Sequence, residues 1–232
     1  MNQLITMPTL NDYTTMKFIR NNSLSIVFLV LFILSLGGQL MSGYKEHNKD
    51  LQEKGALAIS LQQYIQTGHF MQATFENWES EFLQMALFVV LTIWLKQKGS
   101  SESKSFDEPE ETDEEPDPTK KDAPWPVKKG GWVLTIYKHS LTIALLLLFI
   151  TSFIFHFYGS LKDENEQMML KGMPLQTPGQ YLGDSRFWFE SFQNWQSEFL
   201  SIFAIIVLSI YLRQKGSPQS KPVGAPHSET GG

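Results

Sequence analysis

Cysteine is absent from all 232 residues, which excludes a disulfide framework and any thiolate metal site. The usual catalytic signatures are missing too: HExxH, G-x-S-x-G, a phosphate loop or a cysteine–histidine array. His47, His69, His139 and His227 are scattered, so no shared metal site and no cofactor motif is expected. Charge is sparse at 19% of residues, and the net −5 comes largely from one acidic stretch. That distribution leaves no basic footprint for nucleic acid.

Four stretches hold almost no charge: 24–43, 82–95, 141–159 and 199–212. The first and third reach the ~20 apolar residues that cross a ~30 Å hydrocarbon layer. The second and fourth reach that length only if Asn77–Glu81 and Asn194–Glu198 lie at its outer boundary. Runs such as IALLLLFITSFIFHFYG are too uniformly apolar for a helix with one wet face. Met1–Arg20 is polar and has no cleavage pattern after the first run, so that run is expected to remain as a span. Lysines and arginines gather at Lys17, Arg20, Lys96, Lys98, Lys128, Lys129, Lys138, Arg213 and Lys215. This bias places both termini and the central linker on the cytoplasmic side, with the two loops outward.

The chain also repeats itself. FENWESEFL (75–83) returns as FQNWQSEFL (192–200), and a gapless offset of 117 residues carries Ser23 onto Ser140. The same offset matches Lys54-Gly55 with Lys171-Gly172, Tyr64 with Tyr181, and Gln97-Lys98-Gly99-Ser100 with Gln214-Lys215-Gly216-Ser217. A register this long predicts two tandem copies of one unit. Each copy crosses twice, so the copies share an orientation. Within a copy, Lys-Gly marks a helix end, Ser60 and Thr177 open capping boxes, and Thr67 and Asp184 are expected N-caps. The predicted fold is an all-α membrane protein with four transmembrane helices and short outer helices.

Between the copies, SESKSFDEPEETDEEPDPTKK is dense in acid and proline. It buries too little apolar surface to offset its ordering entropy and is expected to be a disordered tether. The expected organisation is an N-terminal cytoplasmic segment (1–20), unit 1 (21–104), the acidic linker (105–131), unit 2 (132–221) and a disordered tail (222–232).

Candidate functional residues are the polar ones inside the spans. Glu81 lies 15 residues from Lys96, or ~22 Å along a helix, and Glu198 lies equally far from Arg213. Gln39 and His156 occupy matched positions near the same depth. Asn77 with Glu81, and Asn194 with Glu198, share helix faces that should turn inward, because lipid offers them no partners. One reading makes the two glutamates ion or proton ligands, with His156 able to titrate near neutral pH. The other makes them helix–helix clamps. Trp78, Phe187, Trp188 and Trp195 are expected in an interfacial aromatic belt.

The N-x-S-L opening at 21–24, the segments GHF…ATFENWESEFLQ (68–84) and SRFWFESFQNWQSEFL (185–200), and the endings LKQKGS…SK and LRQKGSPQSK carry a resemblance. They resemble a family of bacterial multi-pass membrane proteins catalogued only as a domain of unknown function. The resemblance covers roughly 21–104 and 137–223 and implies no activity, cofactor or catalytic residue. The expectation is therefore a non-enzymatic scaffold or partner-binding protein of the bacterial cytoplasmic membrane, with the bilayer and a protein partner or second copy as its contacts. The alternatives are a channel or transporter using Glu81 and Glu198, and, on a weaker signal, a lipid-acting enzyme.

Overall fold

The computed structural model describes residues 10–106 and 110–231, with side chains from Met16 onward. The first nine residues, the linker positions 107–109 and residue 232 lie outside the described residues. Nine α-helices and one 3₁₀ turn, with no strand, make up the described secondary structure. They are α1 (Leu10–Asn21), α2 (Ser23–Glu53), α3 (Leu61–Tyr64), α4 (Gly68–Leu91), α5 (Trp125–Lys129), α6 (Gly131–Lys138), α7 (Ser140–Leu170), α8 (Pro178–Tyr181) and α9 (Ser185–Tyr211). The 3₁₀ turn spans Glu111–Asp113.

Local chemistry explains the boundaries. Ser60 and Thr177 accept from Gln63 N and Gln180 N, and each glutamine reaches back to the cap backbone. Thr67 and Asp184 then start the long helices α4 and α9 by accepting from Phe70 N and Arg186 N. Gly55 (φ 76°) and Gly172 (φ 67°) follow α2 and α7 in the left-handed region that favours glycine. Asn48 holds Ile59 through two hydrogen bonds to its backbone, and Asn165 holds Gln176 the same way. Each of these features recurs 117 residues later in the chain.

Three of the described helices, α2, α7 and α9, are long and apolar enough to cross a membrane. The expected fourth, α4, does not meet that description. Any 18-residue stretch of it contains Glu76, Glu79 and Glu81, so its apolar end at Leu83–Leu91 is too short to outweigh them.

The chain divides into two compact units, Met1–Gln66 and Thr67–Gly232. In the first, Tyr64 is buried against the rings of Tyr44 and His47. In the second, α4 packs along α7 in the antiparallel sense and beside α9 in the parallel sense. The division falls inside the first repeated segment, so α4 joins helices that follow it by at least 49 residues.

The acidic stretch between the repeats is not featureless among its described residues. Besides the 3₁₀ turn and α5, Lys104 pairs with Asp113, and Lys138 pairs with Glu115 at 2.5 Å. The tail, expected to be disordered, turns around Lys221, whose Nζ donates to the carbonyls of Pro226, His227 and Glu229. Gly231 N then donates to Ser100 O, and Gly99 N to Thr230 Oγ1.

Close packing of α4 on α7 depends on two glycines. A Cβ on Gly68 would lie 2.2 Å from Asp163 N and 2.6 Å from Gly159 O, and one on Gly159 would lie 2.6 Å from Gln72 N. Backbone cannot yield as a flexible side chain does. A Cβ on Gly37 or Gly38 of α2 would instead meet no described atom within 4 Å. Gly68→Ala or Gly159→Ala should therefore destabilise the protein by about 1–3 kcal/mol. Gly37→Ala should be neutral or stabilising by up to ~1 kcal/mol through helix propensity. Thermal unfolding in detergent, followed by far-UV circular dichroism, compares the three.

Candidate functional site: a buried histidine–carboxylate network

The interior of the Thr67–Gly232 unit is polar where α4, α7 and α9 meet. His156 on α7 and Glu79 on α4 are both fully buried. Glu79 Oε2 lies 2.5 Å from His156 Nδ1, and its Oε1 accepts from Trp195 Nε1 of α9 at 2.9 Å. One carboxylate thus pins three helices. On the other side of the ring, His156 Nε2 faces Glu190 Oε2 at 3.4 Å and Glu76 Oε2 at 3.9 Å.

Glu190 extends the network. Its Oε2 accepts from Ser160 Oγ at 2.6 Å, and its Oε1 accepts from Arg186 Nε at 2.8 Å. Arg186 spreads its remaining donors over Asp163 at 2.6 Å, Glu164, and Gln72 of α4 at 3.2 Å. Ser160 also meets the Tyr181 hydroxyl of α8 at 2.5 Å. Phe187, buried with Leu161 and Tyr181 and packed by Phe153, Phe157 and Trp188, seals one flank. Its ring lies 5.1 Å from that of His156. Burial pushes the Tyr181 phenol up to about 12. Glu76, His156 and Glu190 together offer three metal-ligating atoms within 4.8 Å of one another.

The residues singled out by sequence fall into separate places. Glu81 and Glu198 do meet each other across α4 and α9, but Glu81 is exposed and Glu198 half-buried. Asn77 and Asn194 turn back onto their own helices, donating to Ala73 O and Glu190 O. Gln39 belongs to α2, in the Met1–Gln66 unit. His156 alone of that set enters the network. Among the aromatics, Phe187 is a core residue with no exposed surface. Trp195 spends its N–H on Glu79 rather than on a headgroup. Trp188 donates to Leu182 O, and Trp78 packs edge-on against Phe75.

Glu76, Glu79, Ser160, Arg186 and Glu190 lie outside the residues that the two segments share, so the repeat pattern does not mark them as a site. The signal lies in what they do not share. At the 117-residue offset, Glu76 and Glu79 become Gln193 and Gln196. His156, Ser160, Arg186 and Glu190 correspond to Gln39, Gly43, His69 and Ala73. Even the close-packed Gly68 and Gly159 are matched by Ser185 and Ser42. Nearly every network residue is specific to one copy.

Among its described residues this is an all-helical protein, with three helices long and apolar enough to cross a membrane and a buried ionic network among its helices. A family model described as a domain of unknown function (DUF6766) matches residues 15–232, and the chain belongs to that family. No curated protein and no solved structure matches it.

Two measurements check the network. Trp195→Phe keeps an aromatic side chain but removes a donor from a buried carboxylate, and should cost about 1.5–3 kcal/mol of unfolding free energy. The Tyr181 phenol, raised from 10.0 to about 12, contributes stability that is complete below pH ~10 and lost as pH rises through about 12. Absorbance titration near 295 nm should show a late-ionising phenol that is missing in Tyr181→Phe.

Proposed function

We propose that this chain is a non-enzymatic, multi-pass membrane scaffold whose ionic network sets the spacing of α4, α7 and α9. The observation that carries this reading is Glu79, a fully buried carboxylate that bonds α7 through His156 and α9 through Trp195. A buried charge held from two sides is costly to leave unpaired, so it specifies one helix arrangement against its alternatives. A partner surface is offered by the apolar groove of ≈ 580 Å³ between α4 and α9, lined by Leu87, Phe88, Leu91, Phe199, Phe203 and Ile206.

The reading extends to a duplicated hairpin in the bacterial cytoplasmic membrane with both termini cytoplasmic, and with lipid and a protein partner or second copy as contacts. Even parity of crossings then requires α4 to pass the bilayer beside α7. What supports this is that Glu76 and Glu79 face protein groups rather than lipid. The second reading, a channel or transporter, is favoured by one observation, the approach of Glu198 to Glu81.

Substitution separates the two. Glu79→Ala should cost about 3–5 kcal/mol and lower folded yield in membranes. Glu81→Gln with Glu198→Gln should leave yield and proteoliposome ion flux unchanged from wild type. Proton or ion flux in wild type that the double substitution removes would replace the scaffold with a transporter. Topology is directly accessible because the chain has no cysteine. Single cysteines at the exposed Thr119 and Ser228 should react with an impermeant maleimide from the cytoplasmic side, and one at Leu57 from the other side.

A further inference from the structure

We propose that Glu76, His156 and Glu190 bind one divalent transition-metal ion per chain, with Glu79 as the positioning residue on the far side of the imidazole. Ligand spacing is the first support. Metal–nitrogen and metal–oxygen bonds of about 2.0–2.2 Å place neighbouring tetrahedral ligands about 3.3–3.5 Å apart. His156 Nε2 is 3.4 Å from Glu190 Oε2 and 3.9 Å from Glu76 Oε2. The first is longer than a good N–H···O bond and the second is no hydrogen bond. Glu76 is the most exposed of the three, at 22% of its side chain, and closes the remaining gap by side-chain rotation.

The second support is the outer shell. A metal-bound histidine characteristically gives its other ring N–H to a carboxylate, which fixes the tautomer and orients the ring. Glu79 does this at Nδ1, and Trp195 and burial hold Glu79 in turn. With the proton on Nδ1, the Nε2 lone pair would point toward Glu76 and Glu190 when a metal binds. Those two arrive from different helices, α4 and α9, while the histidine sits on α7.

Charge gives a third, independent support. The salt-bridged network joins five carboxylates (Glu76, Glu79, Asp163, Glu164, Glu190) to only two cationic groups, Arg186 and His156. Even with the imidazole protonated, the carboxylates outnumber the cations, and uncompensated buried charge is costly. A divalent cation that takes the place of the imidazole proton at Nε2 lowers this excess by one charge. Imidazole in the donor set favours zinc, iron or manganese over magnesium or calcium, whose preferred ligands are oxygens throughout.

Stoichiometry follows from the repeat. At the 117-residue offset, the three ligands meet Gln193, Gln39 and Ala73, so the set can be assembled once and not twice.

Full-length protein in lipid nanodiscs, stripped with a chelator, is titrated with Zn²⁺ by calorimetry and with Co²⁺ by visible absorption. One saturable site per chain, with millimolar Mg²⁺ failing to compete, is expected. Glu76→Gln should weaken binding at least tenfold without lowering the unfolding midpoint of metal-free protein, because it removes one carboxylate from a network that holds them in excess and leaves the Glu79 clamp in place. Glu79→Gln should weaken it about 10–100-fold through the outer shell. Absence of a stoichiometric site in wild type, or wild-type affinity in Glu76→Gln and Glu190→Gln, overturns the proposal. The proposal does not rest on the scaffold reading, which is tested on metal-free protein by Glu79→Ala and fails or stands separately.

Discussion

The contact between Glu79 and His156 is the constraint on which the rest of the Thr67–Gly232 unit depends. A carboxylate with no solvent exposure must have its charge met by protein groups. Here those groups come from α7 and α9, so the three helices have one mutual placement that satisfies it. The backbones can come close enough because Gly68 and Gly159 face each other without side chains. Arg186 then ties α9 to Asp163 and Glu164 of α7 and to Gln72 of α4. Packing and charge satisfaction are one problem here, solved together.

The network also breaks the likeness between the two repeated segments. Residues common to both, such as Tyr64 and Tyr181 or the capping boxes at Ser60 and Thr177, build each segment's local frame. Residues that differ build the ionic interior. Ser160 bonds to Tyr181, whereas its counterpart Gly43 lies so close to the Tyr64 hydroxyl that a Cβ would clash at 2.3 Å. The same tyrosine is thus buried in both places, beside a serine hydroxyl in one and close against a glycine in the other. Divergence of this kind turns two similar segments into non-interchangeable parts.

A membrane environment raises the stakes of such a network. Apolar surface covers much of α2, α7 and α9, and lipid supplies no hydrogen-bond partners for groups that lose theirs. Polar contacts among α4, α7 and α9 must therefore be completed by protein or by a bound ion.

By itself the sequence determined the helical class, the apolar runs, the capping boxes, the helix-ending glycines and the 117-residue register. These depend on residues near one another along the chain, where spacing and propensity suffice. It also singled out His156 and brought Glu81 into register with Glu198. The partners of His156, the core position of Phe187 and the membership of α4 with α7 and α9 came only from tertiary structure. So did the roles of Glu76 and Glu79, whose shared partner His156 stands 77 residues beyond Glu79 in the chain. A long-range charge pair leaves no periodic trace, because its energy depends on a distance across helices that no local pattern encodes.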